Sequence, residues 1–87
     1  MAEYKVLIKP SATKEIESLG SRQDRQRIVA RIRALSSNPR PHGCEKLAGH
    51  TDRYRVRQGQ YRVVYSIDDA QHVIIIFRVG HRKEVYR

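Results

Sequence analysis

Four arginines lie close together in one stretch of the chain and could bind a phosphate group. Arg53, Arg55 and Arg57 are separated by single residues, and Arg62 follows shortly after. A guanidinium presents a planar set of donors that can hold two phosphate oxygens at once. Alternation at every second residue is the period of a β-strand, so these side chains would share one face. The stretch therefore predicts an anion-binding surface on a pair of strands.

A second group of reactive side chains follows Val79-Gly80. His81 can exchange a proton near neutral pH, Arg82 can hold a phosphate, and Tyr86 can donate or accept a proton beside cations. Cleavage of RNA needs a base for the 2′-hydroxyl, an acid for the leaving 5′-oxygen and stabilisation of the crowded phosphate. These residue types could meet all three needs. Taken singly, His81 is better explained as a surface turn residue, and Tyr86 as an aromatic that closes the edge of the core.

The chain offers little for a metal site. His42, Cys44 and His50 share one loop, but they lack the paired Cys-x-x-Cys spacing typical of zinc sites. The clustered carboxylates of a metal-dependent nuclease are also missing from the sequence. We therefore expect neither a metal nor another cofactor, and we interpret Cys44 as a plain thiol.

Composition narrows the function classes further. The 87 residues are the length of one domain, and we treat residues 1–87 as a single domain. Eighteen Lys and Arg against nine Asp and Glu give a net charge of +9, which favours a polyanionic partner such as a nucleic acid. No apolar run approaches the roughly 20 residues of a membrane span, and neither a signal segment nor a second cysteine is present. We expect a cytoplasmic protein without a membrane partner.

The apolar periodicity predicts the element order β-α-α-β-β-β. The predicted elements are a strand at 4–8, a helix from Pro10 to Gly20, a second helix over 23–37, and strands at 53–58, 60–67 and 73–79. Ser21, with Asp24 three residues later, is a candidate N-cap of the second helix, and 38–51 reads as a loop. This order predicts an α+β fold in which a helix hairpin packs on a mostly antiparallel four-stranded sheet. The arginines of the second helix favour a solvated face, with a nucleic-acid surface as the alternative: Arg22, Arg25, Arg27, Arg31 and Arg33.

The hairpin formed by 53–58 and 60–67 can be assigned a register. With Gln58-Gly59 at the centre of a two-residue turn, Arg55 faces Arg62. One face then carries Tyr54, Val56, Tyr61, Val63 and Tyr65, and the other carries Arg53, Arg55, Arg57 and Arg62. Like charges opposed across strands are destabilising. A bound anion would relieve this repulsion, and carboxylates from elsewhere in the fold are the alternative.

These features together resemble the RelE toxins of bacterial toxin–antitoxin modules. The resemblance covers nearly the whole chain and is carried by the element order and three stretches: Lys46-Leu47-Ala48-Gly49, the run from Tyr54 to Tyr65, and the ending from Val79 to Tyr86. It implies a fold like that of microbial ribonucleases and metal-independent cleavage of mRNA in the ribosomal A site, which inhibits translation. The partners it implies are the ribosome with its mRNA and a cognate antitoxin, with operator DNA bound only through that antitoxin.

The resemblance also implies roles for individual residues. Arg62 falls on the family's phosphate-binding arginine, and Arg82 and Tyr86 fall on its C-terminal catalytic arginine and tyrosine. Arg55 and Arg57 fall where the best-studied member has two lysines. Because arginine is effectively always charged, a role of lysine as the base does not transfer to these positions.

Another lysine of that member is replaced by His81, whose imidazole suits proton transfer. We therefore hypothesise that His81 or Tyr86 takes the 2′-hydroxyl proton and that the other assists the leaving group. The candidate catalytic residues are His81, Arg82, Tyr86 and Arg62, and the candidate phosphate-binding residues are Arg53, Arg55, Arg57, Arg62 and Arg82.

Two other function classes remain open from the sequence. ParE-like toxins share the fold implied above and inhibit DNA gyrase without a nuclease site. A non-catalytic RNA-binding module is the third interpretation, but the hairpin tyrosines point inward in the predicted register, so a base-stacking platform is poorly supported. The combination of His81, Arg82 and Tyr86 favours the nuclease over both.

The last predicted strand, 73–79, is apolar on both faces. Because a helix pair covers only one face, we expect Ile74 and Ile76 to need other cover. The 39–51 loop or an acidic, amphipathic antitoxin segment could provide it, and such a segment would also mask the arginines.

Overall fold

Two helices cover one face of a five-stranded sheet in the computed structural model, which describes residues 3–81. The elements are β1 (Lys5–Ile8), α1 (Pro10–Glu17), α2 (Arg22–Ala34), β2 (Glu45–Lys46), β3 (Arg53–Gln58), β4 (Tyr61–Asp68) and β5 (Val73–His81). The strand order is β1-β5-β4-β3-β2, with β1 parallel to β5 and the other neighbours antiparallel. The α+β class and the helix pair on a mostly antiparallel sheet are confirmed.

The described part of the sheet has one strand more than the four predicted. β2 is only two residues long, lies in the segment expected to be a loop, and pairs with β3 so that Glu45 is opposite Arg55. Both residues of β2 are exposed, so no alternation of apolar and polar residues marks the strand in the sequence. Its consequence for function is that it brings a carboxylate beside the arginines of β3.

α1 begins at the predicted Pro10, and α2 begins at Arg22, one residue before the predicted start. Both helices end three residues earlier than predicted, at Glu17 and Ala34, and they bury the predicted stripes. The Asp24 backbone N–H donates to the Ser21 hydroxyl at 3.3 Å, which confirms the N-cap of α2. Pro10 occupies the first position of α1, where its missing N–H costs nothing. The residues buried by the helices are Ala12, Ile16, Ile28, Ile32 and Leu35. Neither described helix is long and apolar enough to cross a membrane.

The register of the β3–β4 hairpin differs from the predicted one. Gln58 pairs with Tyr61, so the turn is centred on Gly59 and Gln60, and Arg57 rather than Arg55 lies opposite Arg62. Gly59 has a φ of 60°, which a turn with a glycine at its first central position requires. The pairing is shifted by two residues relative to the prediction. Because side chains alternate with a period of two, every side chain keeps its predicted face.

The apolar strand β5 uses its two faces differently from the prediction. Ile74 and Ile76 are fully buried in the core beneath the helices, so the expectation that they need other cover is wrong. Ile75 and Phe77, on the opposite side, are half-buried. The pairing of β4 and β5 shifts at Val64 and Tyr65, because one extra residue of β5 is accommodated there. A run that is apolar on both faces gives no sign of which face the helices cover.

Candidate anion-binding site

Strands β3 and β4 place the four predicted arginines on the sheet face away from the helices. Arg57 and Arg62 are directly opposed across the hairpin, and Arg55 and Arg53 follow in the next rows. Arg62 lies on the central part of the sheet and is only 9% exposed, whereas Arg57 is exposed. Two positive side chains therefore lie next to each other on this face of the sheet.

Glu45 of β2 pairs with Arg55, the next arginine along β3. The Arg55 Nε donates to Glu45 Oε1 at 3.2 Å, and the Glu45 side chain remains largely exposed. The sequence prediction set Arg55 against Arg62, and the structure instead sets Arg55 against Val64 on one side and Glu45 on the other. A carboxylate from elsewhere in the fold therefore meets Arg55, while Arg57 and Arg62 stand opposed.

A cavity of about 320 Å³ opens beside these arginines. Arg55, Arg57 and Arg62 line it together with Arg31 of α2, and the rest of its wall is formed by His42, Gly43, Glu45 and Val56. Four guanidinium groups meet one carboxylate there. Such a volume suits a small ligand group, and the excess of positive charge suits an anion.

Arg31 is the member of this cavity that sequence reasoning missed. It was grouped with the solvated arginines of the second helix, yet it lies three residues after Ile28 and four before Leu35. Both of these residues are buried, and positions three and four apart share a helix face. Helical spacing was thus the signal that could have placed Arg31 at the edge of the buried stripe.

Arg53 has a different environment from the other three arginines of the hairpin. Its Cζ lies 3.7 Å from the centroid of the Phe77 ring, and the Lys9 Nζ lies 4.4 Å from the same centroid. It does not line the arginine cavity. Its guanidinium is instead held on the neighbouring part of the same sheet face, where cation–π attraction stabilises its position.

His81 is not brought into the arginine cavity. It is the cross-strand partner of Tyr61, and the two rings meet edge to face with centroids 6.1 Å apart. It lines a separate cavity of about 370 Å³ between the end of β5 and α1. The preceding residue, Gly80, is the partner of Arg62, so β5 ends beside the arginines. Arg82 and Tyr86 lie outside the described residues.

Glu15 of α1 holds the end of β5 in place. The Val79 N–H donates to Glu15 Oε1 at 2.8 Å, and the Arg78 Nη2 lies 3.7 Å from Glu15 Oε2. β1 has already ended at this point, so the carboxylate supplies the acceptor that a neighbouring strand would otherwise offer. Glu15 gives no recognisable signal in the sequence, because the contact depends on where β1 stops.

No group of three or more His, Cys, Asp or Glu side chains within residues 3–81 is arranged to hold a metal ion. His42 lines the arginine cavity, whereas Cys44 packs against the core near Tyr65. Burial is the main cause that raises the pKa of the Tyr65 hydroxyl, and the neighbouring Cys44 adds to it. The ionisable groups that line the arginine cavity are thus four guanidinium groups, the Glu45 carboxylate and the His42 imidazole, while His81 lines the neighbouring cavity.

Comparison with known proteins finds relatives over almost the whole chain. The family model described as "ParE toxin of type II toxin-antitoxin system, parDE" matches residues 6–86. The toxin RelE of Mycobacterium tuberculosis is 29% identical over 84 residues, which cover 97% of this chain and 87% of that protein. The toxin RelG of the same organism is 44% identical, but over only 34 residues, 39% of each chain.

Solved structures show the same fold. A chain of the archaeal RelE–RelB complex from Pyrococcus horikoshii superimposes with a TM-score of 0.81 and is 32% identical, with 92% of this chain and 96% of that chain covered. The isolated RelE toxin of E. coli gives a TM-score of 0.76 at 31% identity, covering 95% and 90% of the two chains. Since family model, sequence and fold agree, this chain belongs to the RelE/ParE superfamily of toxins from type II toxin–antitoxin systems.

Proposed function

We propose that this toxin is a metal-independent endoribonuclease that cuts mRNA in the A site of the ribosome and thereby stops translation. The observation that carries the proposal is a cavity lined by four arginines, two of which, Arg57 and Arg62, are directly opposed across the hairpin. The likeness to toxins named RelE supports it. Such a cluster fits a reaction whose transition state gathers negative charge on a phosphate.

The arginines act on the scissile phosphate. Attack of the 2′-oxygen on the adjacent phosphorus creates a crowded, doubly charged phosphate before the 5′-oxygen leaves. Arg62 is held nearly buried by its neighbours, so its guanidinium does not have to be reoriented when the charge develops. Arg57 and Arg55 then hold the remaining phosphate oxygens.

Proton transfer is assigned in the proposal to the end of the chain. His81 or Tyr86 takes the 2′-hydroxyl proton, the other returns a proton to the 5′-oxygen, and Arg82 stabilises the phosphate. The position of Gly80 opposite Arg62 supports this assignment, because β5 reaches the arginines two residues before Arg82. His42 lines the cavity itself and is a further candidate for one of the two transfers.

The deciding experiment is primer extension on mRNA in ribosomes stalled with an empty A site, run beside naked mRNA. We expect cuts within the A-site codon that are lost in Arg57→Ala and retained in Arg27→Ala, an exposed arginine of α2 with the same charge change. Separate His81→Ala, His42→Ala and Tyr86→Phe variants assign the proton transfers. Equal cutting of naked RNA would make the protein a general ribonuclease, and no cutting by folded, antitoxin-free protein would contradict the proposal.

We infer that the partner in the cell is a cognate antitoxin with an acidic segment that covers the arginine face. The net charge of +9 supports this inference, as do the RelE–RelB complexes among the similar structures. Operator DNA is then bound only through the antitoxin, and the toxin acts in the cytoplasm. Co-expression with the antitoxin should restore growth and yield a complex that high salt weakens.

Inhibition of DNA gyrase without RNA cleavage is the second candidate function. The description of the matching family model, which names ParE, favours it. A supercoiling assay with purified gyrase separates the two, since the nuclease should leave supercoiling unchanged at concentrations that stop translation.

A further inference from the structure

We propose that Arg31 of α2 is a phosphate-binding residue of the arginine cavity and contacts an RNA phosphate from the helix side of the sheet. This inference deepens the proposed function, because it adds a residue to the same site, but it concerns binding and does not require cleavage. The sequence offers a nucleic-acid surface on the second helix only as the alternative to a solvated face, and no motif or resemblance singles out Arg31 among its arginines.

The first argument is the state of the Arg31 side chain. Its Nε is buried and has no hydrogen-bond acceptor among the described residues. The side chain also takes no part in the ion pairs found within residues 3–81, which include Arg40–Asp69, Arg55–Glu45 and Arg78–Glu15. A buried donor of a charged group without an acceptor costs free energy. The fold therefore holds Arg31 at a cost that an anion would offset.

The second argument is where the side chain ends. Arg31 lines the same 320 Å³ cavity as Arg55, Arg57 and Arg62. Glu45 is the carboxylate of that cavity, and it is already bonded to Arg55. A phosphate within this cavity would offer oxygens to guanidinium groups from two directions, from the strands and from α2.

The third argument is the rigidity of the support. Ile28, Ile32 and Leu35, on the same face of α2, are at most 2% exposed. A guanidinium presented by a helix packed in this way is held in place before the ligand arrives, which reduces the entropy lost on binding. The Arg31 side chain is itself half-buried, whereas Arg27 of the same helix is exposed.

The test measures binding and stability together. The ligand is a short 2′-O-methyl RNA, which carries the phosphates but lacks the attacking hydroxyl and so cannot be cut. Arg31→Met keeps the length and the apolar stem and removes the guanidinium. We expect Arg31→Met to bind this RNA at least about tenfold more weakly than wild type does, because a charge-assisted hydrogen bond is lost. The free energy of unfolding measured in urea should not fall. Arg27→Met is the matched control and should change binding by no more than about twofold.

The outcomes separate this inference from the proposed nuclease. Unchanged affinity in Arg31→Met would overturn it, and so would a loss of stability large enough to account for the weaker binding. If the wild-type protein binds the modified RNA through Arg31 but cuts nothing on ribosomes, the nuclease proposal fails and the role of Arg31 stands.

Discussion

Arg62 and Arg53 lie on the same face of the sheet, yet only Arg62 lines the arginine cavity, and this difference predicts different effects of mutation. Arg62→Lys should lower the cleavage rate by about a hundredfold or more, because a lysine cannot reproduce the planar fork that holds two phosphate oxygens. Arg53→Lys, at the arginine stacked on Phe77 outside the cavity, should have a smaller effect. Single-turnover primer extension on stalled ribosomes measures both rates. Equal effects at the two positions would contradict the assignment of Arg62.

The Tyr65 hydroxyl contributes to the stability of the fold. Its ring is fully buried, and its hydroxyl donates to the Pro39 carbonyl at 2.7 Å. Tyr65→Phe should lower the free energy of unfolding by about 1–2 kcal/mol, because the carbonyl loses its donor. Urea unfolding measures the change. Tyr61→Phe, whose hydroxyl bonds to Asp24 nearer the surface, should cost less.

The Asp69 carboxylate makes the free energy of unfolding depend on pH in the acid range. Arg40 binds both of its carboxylate oxygens, at 3.2 and 2.8 Å, and the Tyr4 hydroxyl donates to it at 2.6 Å. The Arg40 bond is the main cause that lowers the pKa of Asp69 from 3.8 to about 2, and the Tyr4 bond adds to it. The folded state thus binds the Asp69 proton less tightly than the unfolded state does. The resulting stabilisation is present above about pH 4 and is lost as the pH falls towards 2.

Asp69→Asn should therefore be less stable than wild type at pH 6 and should lose less stability between pH 4 and pH 2. Urea titrations across this range measure the difference. Asp52→Asn is the control, because the Asp52 side chain makes no ion pair within the described part of the chain. If Asp69→Asn and wild type lost the same free energy of unfolding between pH 4 and pH 2, the assignment to Asp69 would be contradicted.

At the scale of elements, the contact between α1 and β5 couples a helix to the end of the strand that reaches the arginines. Glu15→Ala leaves the Val79 N–H without its acceptor, and we expect a cost of about 1–3 kcal/mol in the free energy of unfolding. Because Gly80 pairs with Arg62, cleavage should also fall. Glu17→Ala, on the exposed side of the same helix, is the control and should be nearly neutral in both.

The elements also show what could be predicted from the sequence and what could not. β3 was predicted with its observed bounds, because Tyr54 and Val56 alternate with arginines and leave no other face for the core. The hairpin register was predicted incorrectly, because moving the turn by one residue leaves every side chain on the same face of the sheet, so the apolar pattern cannot distinguish the two turns. β2 carries no periodic signal. His81 belongs to a strand two residues longer than predicted, and only the paired backbone shows that it meets Tyr61 rather than the arginines.

At the scale of the whole molecule, net charge and local arrangement make separable contributions to RNA binding. The charge of +9 favours any polyanion, and the affinity should fall with salt by about 0.7 logarithmic units per phosphate contacted and per tenfold rise in salt. Arg57→Gln should reduce this slope by about 0.7, because one contact is lost. Arg27→Gln removes the same charge from an exposed part of α2 and should leave the slope unchanged. Fluorescence anisotropy with 2′-O-methyl RNA measures the slopes, and equal slopes in both variants would mean that net charge alone governs binding.

The position of β5 between β1 and β4 has a consequence for synthesis of the chain. A nascent polypeptide that ends before residue 73 carries β1 and the β3–β4 hairpin as separate pieces, and it lacks Ile74, Ile76 and Val79 from the core. Co-translational folding can therefore reach the native sheet only after 73–81 have left the exit tunnel. A chain that stops before residue 73 lacks the strand that joins β1 to β4, so it cannot complete the native sheet.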